Sequence, residues 1–206
     1  DENGDMQLAV SDMEIYSYLT PEYIASKLDV INNASLCVID TNLPAETIQY
    51  LCENCTVPIF ADPVSTAKAV KLLPVLGKIH TIKPNMLEAA LLTGIPVTDE
   101  RSARKAVDIL LELGVRQVFL SMGAAGVLYG NARGKKRIPN YPAEIRNSTG
   151  AGDSFMAALV MAYLSEFSTE KAARCGLAAA AICIEGESTI NEKLSRQAVL
   201  DRISEN

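Results

Sequence analysis

The sequence lacks the features that mark nucleic-acid-binding and membrane-spanning proteins. Acidic residues outnumber basic ones by 25 to 19, so the net charge is −6 and no basic excess is present to bind nucleic acid. No apolar run approaches the roughly 20 residues of a membrane span, and no charged-then-apolar leader opens the chain. We therefore expect neither nucleic acid nor a membrane as partner, which favours a small-molecule substrate.

Cysteine and histidine are also too few, or wrongly spaced, for several kinds of site. Five cysteines without disulfide-scaffold spacing favour a reducing compartment, so a cytoplasmic protein is expected. Cys52 and Cys55 form a C-x-x-C pair, but they close a predicted helix rather than open one, which favours inert thiols over a redox site. The single histidine, His80, has no obvious nucleophile partner, so a hydrolase triad is unsupported and strand packing explains it at least as well.

Two nucleotide-binding motifs are missing as well. A nicotinamide dehydrogenase would carry G-x-G-x-x-G directly after an early strand, and a P-loop kinase would carry G-x-x-x-x-G-K-[ST]. Neither pattern occurs in the sequence. Any nucleotide site must therefore be built in another way.

Strand-like and helix-like segments alternate along the chain. With 206 residues, 49% of them hydrophobic, the sequence can bury one substantial core, so residues 1–206 are predicted to be a single domain. The predicted strands are short apolar runs at 6–10, 36–40, 57–61, 78–82, 117–121, 126–130 and 135–139. The predicted helices are one starting in 20–28, with Thr20 as N-cap and Pro21 in the first position, and others over 44–54, 67–76, 85–94, 99–113, 151–165, 169–184 and 195–203. The alternation predicts an α/β fold of three layers, with a mainly parallel sheet and a hairpin near residue 130.

Polar clusters follow several of the predicted strands. In parallel α/β sheets, ligands bind outside the carboxyl ends of the strands. The clusters are DTN at 40–42, DPVS at 62–65, KPN at 83–85, SMG at 121–123 and NSTGAGD at 147–153. Each alone is ordinary turn or cap chemistry, but their repeated placement predicts that they meet in one crevice.

The stretch NSTGAGDSF, residues 147–155, lies at the mouth of a predicted apolar helix. Gly150, Ala151 and Gly152 carry almost no side chain, so several backbone N–H groups can face one anion there. Asp153 would lie in the first turn, where a carboxylate can take a proton from a hydroxyl that attacks phosphorus. On the glycines alone, a closely packed helix entry with an acidic first-turn residue is the favoured explanation of the stretch.

Three motifs together resemble the ribokinase-like (PfkB-type) carbohydrate kinases. They are STGAGDSF followed by MAALVMAYL, KPNMLEA, and LSMGAAGVL, in the family's order and spacing. Four further segments, LAVSDMEIYSYLTPEYI, VIDTNLP, DPVSTAKAVKLLP and IHTIKPN, are similar to the pseudouridine kinase branch of that family. The resemblance runs from about residue 6 to 190. It implies a ribokinase-like α/β/α fold and a kinase, dependent on ATP and Mg²⁺, that phosphorylates a hydroxymethyl group of a sugar or nucleoside, with pseudouridine favoured.

The resemblance also implies roles for individual residues. Asp153 matches the catalytic base, and the amides of Gly150, Ala151 and Gly152 match the anion hole. Asn42 matches a position that contacts sugar hydroxyls, whereas Asp62 and Ser65 either line the crevice or form a structural turn. Asn85 and Glu88 match the N-x-x-E pair near the phosphates and the hydrated Mg²⁺, and they would share one helix face. The residues matched to the surroundings of ATP are Ser121, Gly123, Gly126 and Leu177. For the alanine-rich helix that follows Leu177, plain packing stays an equal alternative.

Two departures from the family pattern qualify these expectations. Asn147 stands where the commonest signature has Asp, in a loop that with Thr149 would hold a monovalent cation, so K⁺ activation is left open. Nothing in residues 1–40 matches the family's glycine pair, sugar-contacting acids and β lid, so the chain is expected to be about the last two-thirds of a kinase, with the lid region missing. An uncovered sheet edge would favour self-association, for example as a homodimer.

Two alternatives to a pseudouridine kinase stay open from the sequence. The first is another PfkB-type sugar kinase, because most acceptor contacts belong to the missing segment. The second is a non-catalytic module that binds a nucleotide or takes part in an assembly. The intact Asp153, Asn85 and Glu88 argue against a simple loss of catalysis.

Overall fold

The computed structural model describes residues 12–204, which form a six-stranded sheet flanked by helices. The predicted strand at 6–10 lies outside the described residues. The strands are β1 (Cys37–Asp40), β2 (Ile59–Asp62), β3 (Thr81–Ile82), β4 (Gln117–Ser121), β5 (Val127–Asn131) and β6 (Gly134–Ile138). The α-helices are α1 (Pro21–Ala25), α2 (Leu28–Asn32), α3 (Ala45–Asn54), α4 (Thr66–Ala69), α5 (Met86–Thr93), α6 (Glu100–Glu112), α7 (Ala151–Leu164), α8 (Thr169–Ile184) and α9 (Arg196–Ser204). The 3-10 segments are Glu14–Tyr18, Val70–Lys78 and Gly123–Ala125. Between residues 12 and 204, no helix is long and apolar enough to span a bilayer.

The strands lie side by side in the order in which they occur in the chain. Strands β1 to β4 are parallel, and Asp40 at the end of β1 is the register partner of Asp62 at the end of β2. Parallel neighbours need crossover connections, which α3, the segment 66–78, and α5 with α6 supply. Strands β5 and β6 form an antiparallel hairpin beside β4. The predicted mainly parallel sheet and the predicted hairpin are both confirmed.

Alternate residues of the strands face opposite sides of the sheet, and each side buries its own apolar core. In β4, Val118 and Leu120 belong to one core and Phe119 to the other. Helices α3, α5 and α6 complete the first core, whereas α7 and α8 complete the second. The sheet therefore lies between two helical layers, which confirms the predicted three-layer α/β/α fold.

The first predicted helix begins as expected but is divided. The Thr20 hydroxyl oxygen accepts a hydrogen bond from the Tyr23 amide at 3.2 Å, and Pro21 occupies the first helical position. Helix α1 then stops at its fifth residue, where the Ser26 hydroxyl donates to the Tyr23 carbonyl at 2.6 Å. Such a local bond competes with helix continuation, so two short helices replace the single predicted one.

Two neighbouring predictions also need correction. The segment 67–76, predicted as one helix, is α-helical only at its start and continues as a 3-10 segment to Lys78, because Pro74 has no amide hydrogen to donate. That segment shortens the strand predicted over 78–82 to β3 alone. The backbone of His80 still bonds to both adjacent strands, so the sheet is continuous there.

The thiols and the single imidazole are packed as structural groups. Cys52 is buried in the last turn of α3 and Cys55 is its C-cap. Burial raises the pKa of Cys52 to about 12 and that of Cys37 to about 11, so neither is a reactive thiolate at neutral pH. The His80 ring stacks on Phe60 with ring centroids 5.6 Å apart. The helix-closing position of Cys52 and Cys55 and the packing of the histidine are confirmed, and the inertness of the thiols stays a prediction.

The two edges of the sheet differ in character. Edge strand β6 carries Lys135, Lys136 and Arg137, each paired with a carboxylate. Edge strand β1 instead exposes Val38, whose surface is 49% accessible. Charged edges resist further strand pairing and apolar edges invite it. Among residues 12–204 the apolar sheet edge is β1, and both the uncovered edge and the homodimer stay predictions.

Candidate active site

The N-terminus of α7 has a shape that only glycine permits. Gly150 is the N-cap with φ +85°, and a Cβ on it would lie 2.2 Å from the Thr189 carbonyl oxygen. Ala151 and Gly152 open the helix, where first-turn amides have no carbonyl partner within the helix. These donors and the positive end of the helix dipole favour an anion. The backbone thus has the form that the predicted anion hole requires, and the hole itself stays a prediction.

A buried lysine lies beside this helix start. Lys83 is 8% exposed, and its Nζ is 3.4 Å from the point where a Cβ on Gly152 would stand. The same Nζ pairs with Asp62 Oδ2 at 3.1 Å. The Lys83 ammonium therefore lies beside the positive end of the α7 dipole, while its charge is balanced by the Asp62 carboxylate. The sequence placed KPN at 83–85 among the clusters expected to meet in one crevice but gave Lys83 no role of its own, although a lysine directly after a parallel strand was a usable signal.

Asn85 and Glu88 bind each other's backbone at the start of α5. Asn85 Oδ1 accepts from the Glu88 amide, and Glu88 Oε2 accepts from the Asn85 amide, both at 2.9 Å. This arrangement is a capping box, in which Asn85 is the N-cap. The prediction that Asn85 and Glu88 lie on one face of the helix is therefore wrong, because Asn85 precedes the helix. Glu88 is 3% exposed, and burial raises the pKa of its carboxyl group. The pair starts the helix, and its role near phosphate and Mg²⁺ stays a prediction.

A cavity of about 850 Å³ opens at the ends of β3 and β4 and the start of α7. Such a volume suits a ligand the size of a cofactor. Glu88 does not line the cavity, but the other residues predicted to bind nucleotide do, and so do two of the anion-hole residues: Asn85, Ser121, Gly123, Gly126, Leu177, Ala151 and Gly152. Gly126 has φ +93°, and a Cβ there would lie 2.1 Å from the Ile138 carbonyl oxygen, so this loop also requires glycine.

Most of the cavity wall is apolar, and sequence reasoning did not find it. Met86, Met122, Tyr141, Phe155 and Ile184 all line the cavity. Apolar walls with a few convergent polar groups are typical of small-molecule sites. These five residues come from separate parts of the chain and share no local motif. Only the tertiary fold brings them together.

A second cavity, of about 430 Å³, lies between the ends of β1 and β2 and helix α7. Asp62 lines it, whereas Ser65 does not. Its walls are Val38, Ile39, Asp40, Asp62, Asp153, Met156, Ala157 and Val160. The Asp153 side chain is exposed, and its carboxylate makes no hydrogen bond or ion pair with any residue in the described range 12–204.

The first turn of α7 contributes residues to both cavities. Gly152 lines the larger one and Asp153 lines the smaller one. Amide donors can hold an anion on one side, while a carboxylate with free lone pairs can accept a proton on the other. This geometry suits group transfer between two bound molecules.

The remaining predicted site residues use their polar groups within the protein. Asn42 lines neither cavity; its Nδ2 donates to Asp40 at 2.7 Å and its Oδ1 accepts from Lys68 at 2.6 Å. Asn147 Oδ1 accepts from the Thr149 amide at 2.9 Å. The sugar role of Asn42 and the monovalent-cation role of the 147–149 loop stay predictions. Within the range 12–204, no group of three His, Cys, Asp or Glu residues is placed to hold a metal ion.

Comparison with known proteins gives consistent relatives. The chain is 33% identical to the pseudouridine kinase of Escherichia coli (strain K12), over 98% of this chain and 66% of that protein. The solved ribokinase of Thermotoga maritima matches with a TM-score of 0.79 and 25% identity, over 90% of this chain and 61% of its own. The Arabidopsis thaliana ribokinase solved with ribose and ATP matches with a TM-score of 0.72 and 25% identity, over 86% of this chain and 58% of its own. The chain thus spans no more than about two-thirds of the length of these relatives.

The family assignment rests on most of the chain. Residues 1–196 match the family model described as pfkB family carbohydrate kinase. The ribokinase structures share the order and packing of strands and helices found here. The chain belongs to the pfkB family of carbohydrate kinases and has a ribokinase-like fold.

Proposed function

We propose that the protein carrying this chain is a kinase that uses ATP and Mg²⁺ to phosphorylate a hydroxymethyl group of a sugar or nucleoside, with pseudouridine as the favoured acceptor. The observation that carries the proposal is the first turn of α7, which presents amides to one cavity and the Asp153 carboxylate to the other. Similarity to the E. coli pseudouridine kinase favours that acceptor. Another sugar is the second candidate, because a ribokinase solved with ribose and ATP shares the fold.

The larger cavity suits ATP in size and chemistry. Its apolar walls suit a purine base, and the Gly150–Gly152 amides with Lys83 suit the phosphates. Bound Mg²⁺ neutralises phosphate charge and keeps most of its own waters. Glu88 would therefore act on it through a water. The loop of Asn147 and Thr149 would hold K⁺ if the protein uses a monovalent cation.

Asp153 is the proposed general base. As the acceptor oxygen bonds to the γ-phosphorus, the bond from that phosphorus to the ADP oxygen breaks, and Asp153 takes the hydroxyl proton. The amides and Lys83 stabilise the charge on the transferring group. Asp153 is free to act in this way because no described residue occupies its lone pairs.

A non-catalytic nucleotide-binding module is the alternative from another class. It is favoured by the openness of the acceptor side, where Val38 is 49% exposed and Asp153 is exposed. Such a module would bind ATP but transfer no phosphate. Turnover with a named acceptor therefore separates the two.

The test is a coupled ADP assay with pseudouridine, uridine, ribose and fructose 6-phosphate on the protein that carries this chain. We expect the highest kcat/KM with pseudouridine. Asp153→Asn should lower kcat at least about 10²-fold, the range of a general base, with little change in ATP affinity. Asp108→Asn, which changes a carboxylate in the β6 edge ion pairs, is the matched control and should keep full activity. A folded Asp153→Asn variant that retains kcat would remove Asp153 from this role.

A further inference from the structure

We infer that Asp40 is a further acceptor-binding residue, and that Lys68 positions it by acting through Asn42. The inference rests on the proposed function, because it specifies which part of the acceptor cavity holds a sugar hydroxyl. Sequence similarity assigned sugar contact to Asn42. The hydrogen bonds give Asn42 a supporting role and leave Asp40 on the cavity wall.

Asp40 occupies a position where a second carboxylate is unfavourable. It is the register partner of Asp62 on the adjacent parallel strand, and both line the smaller cavity. Neighbouring strands lie about 5 Å apart, and like charges directly opposite each other destabilise a sheet. Lys83 neutralises Asp62 directly, but no cation among residues 12–204 bonds to Asp40. A neutral side chain would serve the fold better there, so the carboxylate points to a ligand.

Asn42 holds both oxygens of that carboxylate. Its backbone amide donates to Asp40 Oδ1 at 2.9 Å, and its Nδ2 donates to Asp40 Oδ2 at 2.7 Å. Lys68 Nζ donates to Asn42 Oδ1 at 2.6 Å. An ammonium group can only donate, so Lys68 requires the oxygen end of the Asn42 amide and turns the NH₂ end toward Asp40. Lys68 therefore sets the direction of the whole chain of bonds.

The backbone of this turn is fixed separately from the side chains. Lys71 Nζ donates to the Thr41 and Leu43 carbonyls at 2.9 and 2.8 Å. Because Lys71 holds the backbone, the loss of Lys68 would leave the turn in place. The contribution of Lys68 is thus the orientation of Asn42 and, through it, of Asp40.

The class of ligand follows from the hydrogen-bond acceptor sites that stay free on the Asp40 carboxylate. Each carboxylate oxygen has about two acceptor sites, and Asn42 uses one on each. The remaining sites suit hydroxyl donors, and O–H bonds to a carboxylate are among the stronger hydrogen bonds. A sugar bound in this cavity would give its reacting hydroxyl to Asp153 and a neighbouring hydroxyl to Asp40. The ligand class is therefore a polyol with at least two hydroxyl groups.

The test is a ¹H–¹⁵N NMR titration of chain 1–206 with D-ribose and with pseudouridine, followed at the Asn42 side-chain NH₂ and the Asp40 amide. We expect both signals to shift as the sugar binds. Asp40→Asn should raise the dissociation constant at least about 10-fold, the effect of one charge-assisted hydrogen bond. Lys68→Met should raise it several-fold, and Lys68→Arg should restore most of the affinity. Lys135→Met, which removes a lysine ion pair at the opposite edge, is the matched control.

Three results would overturn the inference: no shift at Asn42 up to saturating sugar, unchanged affinity in Asp40→Asn, or unchanged affinity in Lys68→Met. Thermal unfolding of each variant identifies any that has merely lost its fold. If Lys68→Met is unfolded, the comparison is made with Lys68→Arg instead. Asp153→Asn separates this inference from the proposed function: in the protein that carries this chain it should lower kcat at least about 10²-fold, whereas the Asp40 and Asn42 signals of chain 1–206 should still shift when sugar is added. If the protein that carries this chain turns over with none of the four acceptors while the titration of chain 1–206 behaves as expected, the kinase proposal fails and the Asp40 site stands.

Discussion

At the scale of single residues, Glu88 has, through its carboxylate, both a structural role in capping α5 and a proposed role near Mg²⁺. Its side chain caps α5 by accepting the Asn85 amide, and it is nearly fully buried. Family resemblance adds a role near Mg²⁺. Because glutamine can also accept the capping bond at this helix position, the two roles can be tested apart.

Glu88→Gln should keep the fold and weaken the response to the metal. We expect its thermal midpoint to stay close to that of the parent protein, while the Mg²⁺ concentration for half-maximal rate rises. Glu88→Ala loses the capping bond as well and should be destabilised by about 1 kcal/mol. Mg²⁺ titrations of the rate and thermal unfolding of all three proteins check this. An unfolded Glu88→Gln variant would assign Glu88 to structure alone.

His80 makes stability depend on pH in a direction that its packing determines. Burial lowers the pKa of its imidazole, and the nearby charge of Arg116 lowers it further. The folded protein therefore binds the proton more weakly than the unfolded chain, so protonation favours unfolding. This contribution is fully present above the ordinary histidine pKa of 6.5 and is lost as the pH falls through the lower folded value.

Urea unfolding at about pH 7.5 and pH 5.5 measures the effect of His80. The parent protein should lose more unfolding free energy between these pH values than His80→Gln does. His80 is the only histidine in the sequence, and the buried Glu88 titrates in both proteins. Equal losses in the two proteins would show that His80 does not set this dependence.

At the scale of elements, two glycines with positive φ form a matched pair. Gly94 is the C-cap of α5 with φ +70°, and a Cβ on it would meet nothing within 4 Å. Gly150 begins α7 with φ +85°, and its Cβ would overlap the Thr189 carbonyl. Adding a side chain would strain the backbone at both positions, but only at Gly150 would it also displace the start of a helix.

Gly94→Ala should therefore cost about 1–2 kcal/mol of stability and leave ATP affinity unchanged. Gly150→Ala should be destabilised by more than this and bind ATP at least about 10-fold more weakly, because the first-turn amides move. Chemical unfolding and calorimetry with ATP give both quantities for each variant. A folded Gly150→Ala variant with unchanged ATP affinity would remove the anion-hole role from this turn.

The same elements show how far the sequence predicts the structure. Helix α6, which has a clear apolar period, and the parallel strands β1, β2 and β4 lie close to their predicted bounds, because local patterning determines them. The 3-10 segment at 70–78 was missed because its apolar spacing resembles that of a helix. Lys83 and Tyr141 were missed for another reason: their roles depend on what the fold brings beside them.

At the scale of the whole molecule, the two cavities are unequally enclosed. The larger one has walls from the loops after β3 and β4 and from helices α7 and α8. The smaller one borders β1, an apolar sheet edge that no other described strand covers. Relatives are longer than this chain, which spans 66% of the E. coli pseudouridine kinase. Residues 12–204 thus hold a larger, more enclosed cavity, which we propose binds the nucleotide, beside a smaller, more open one, which we propose binds the acceptor.

Phosphoryl transfer depends on positioning and on the exclusion of water, so an open acceptor cavity should abolish turnover before it abolishes nucleotide binding. The most direct test is calorimetry with Mg·ATP on residues 1–206, paired with a coupled ADP assay in the presence of pseudouridine. We expect measurable ATP binding, weakened in Gly150→Ala but not in Gly94→Ala, together with negligible phosphorylation. No ATP binding by the folded chain would contradict the nucleotide site, and robust turnover would show that the acceptor site is already complete within these residues.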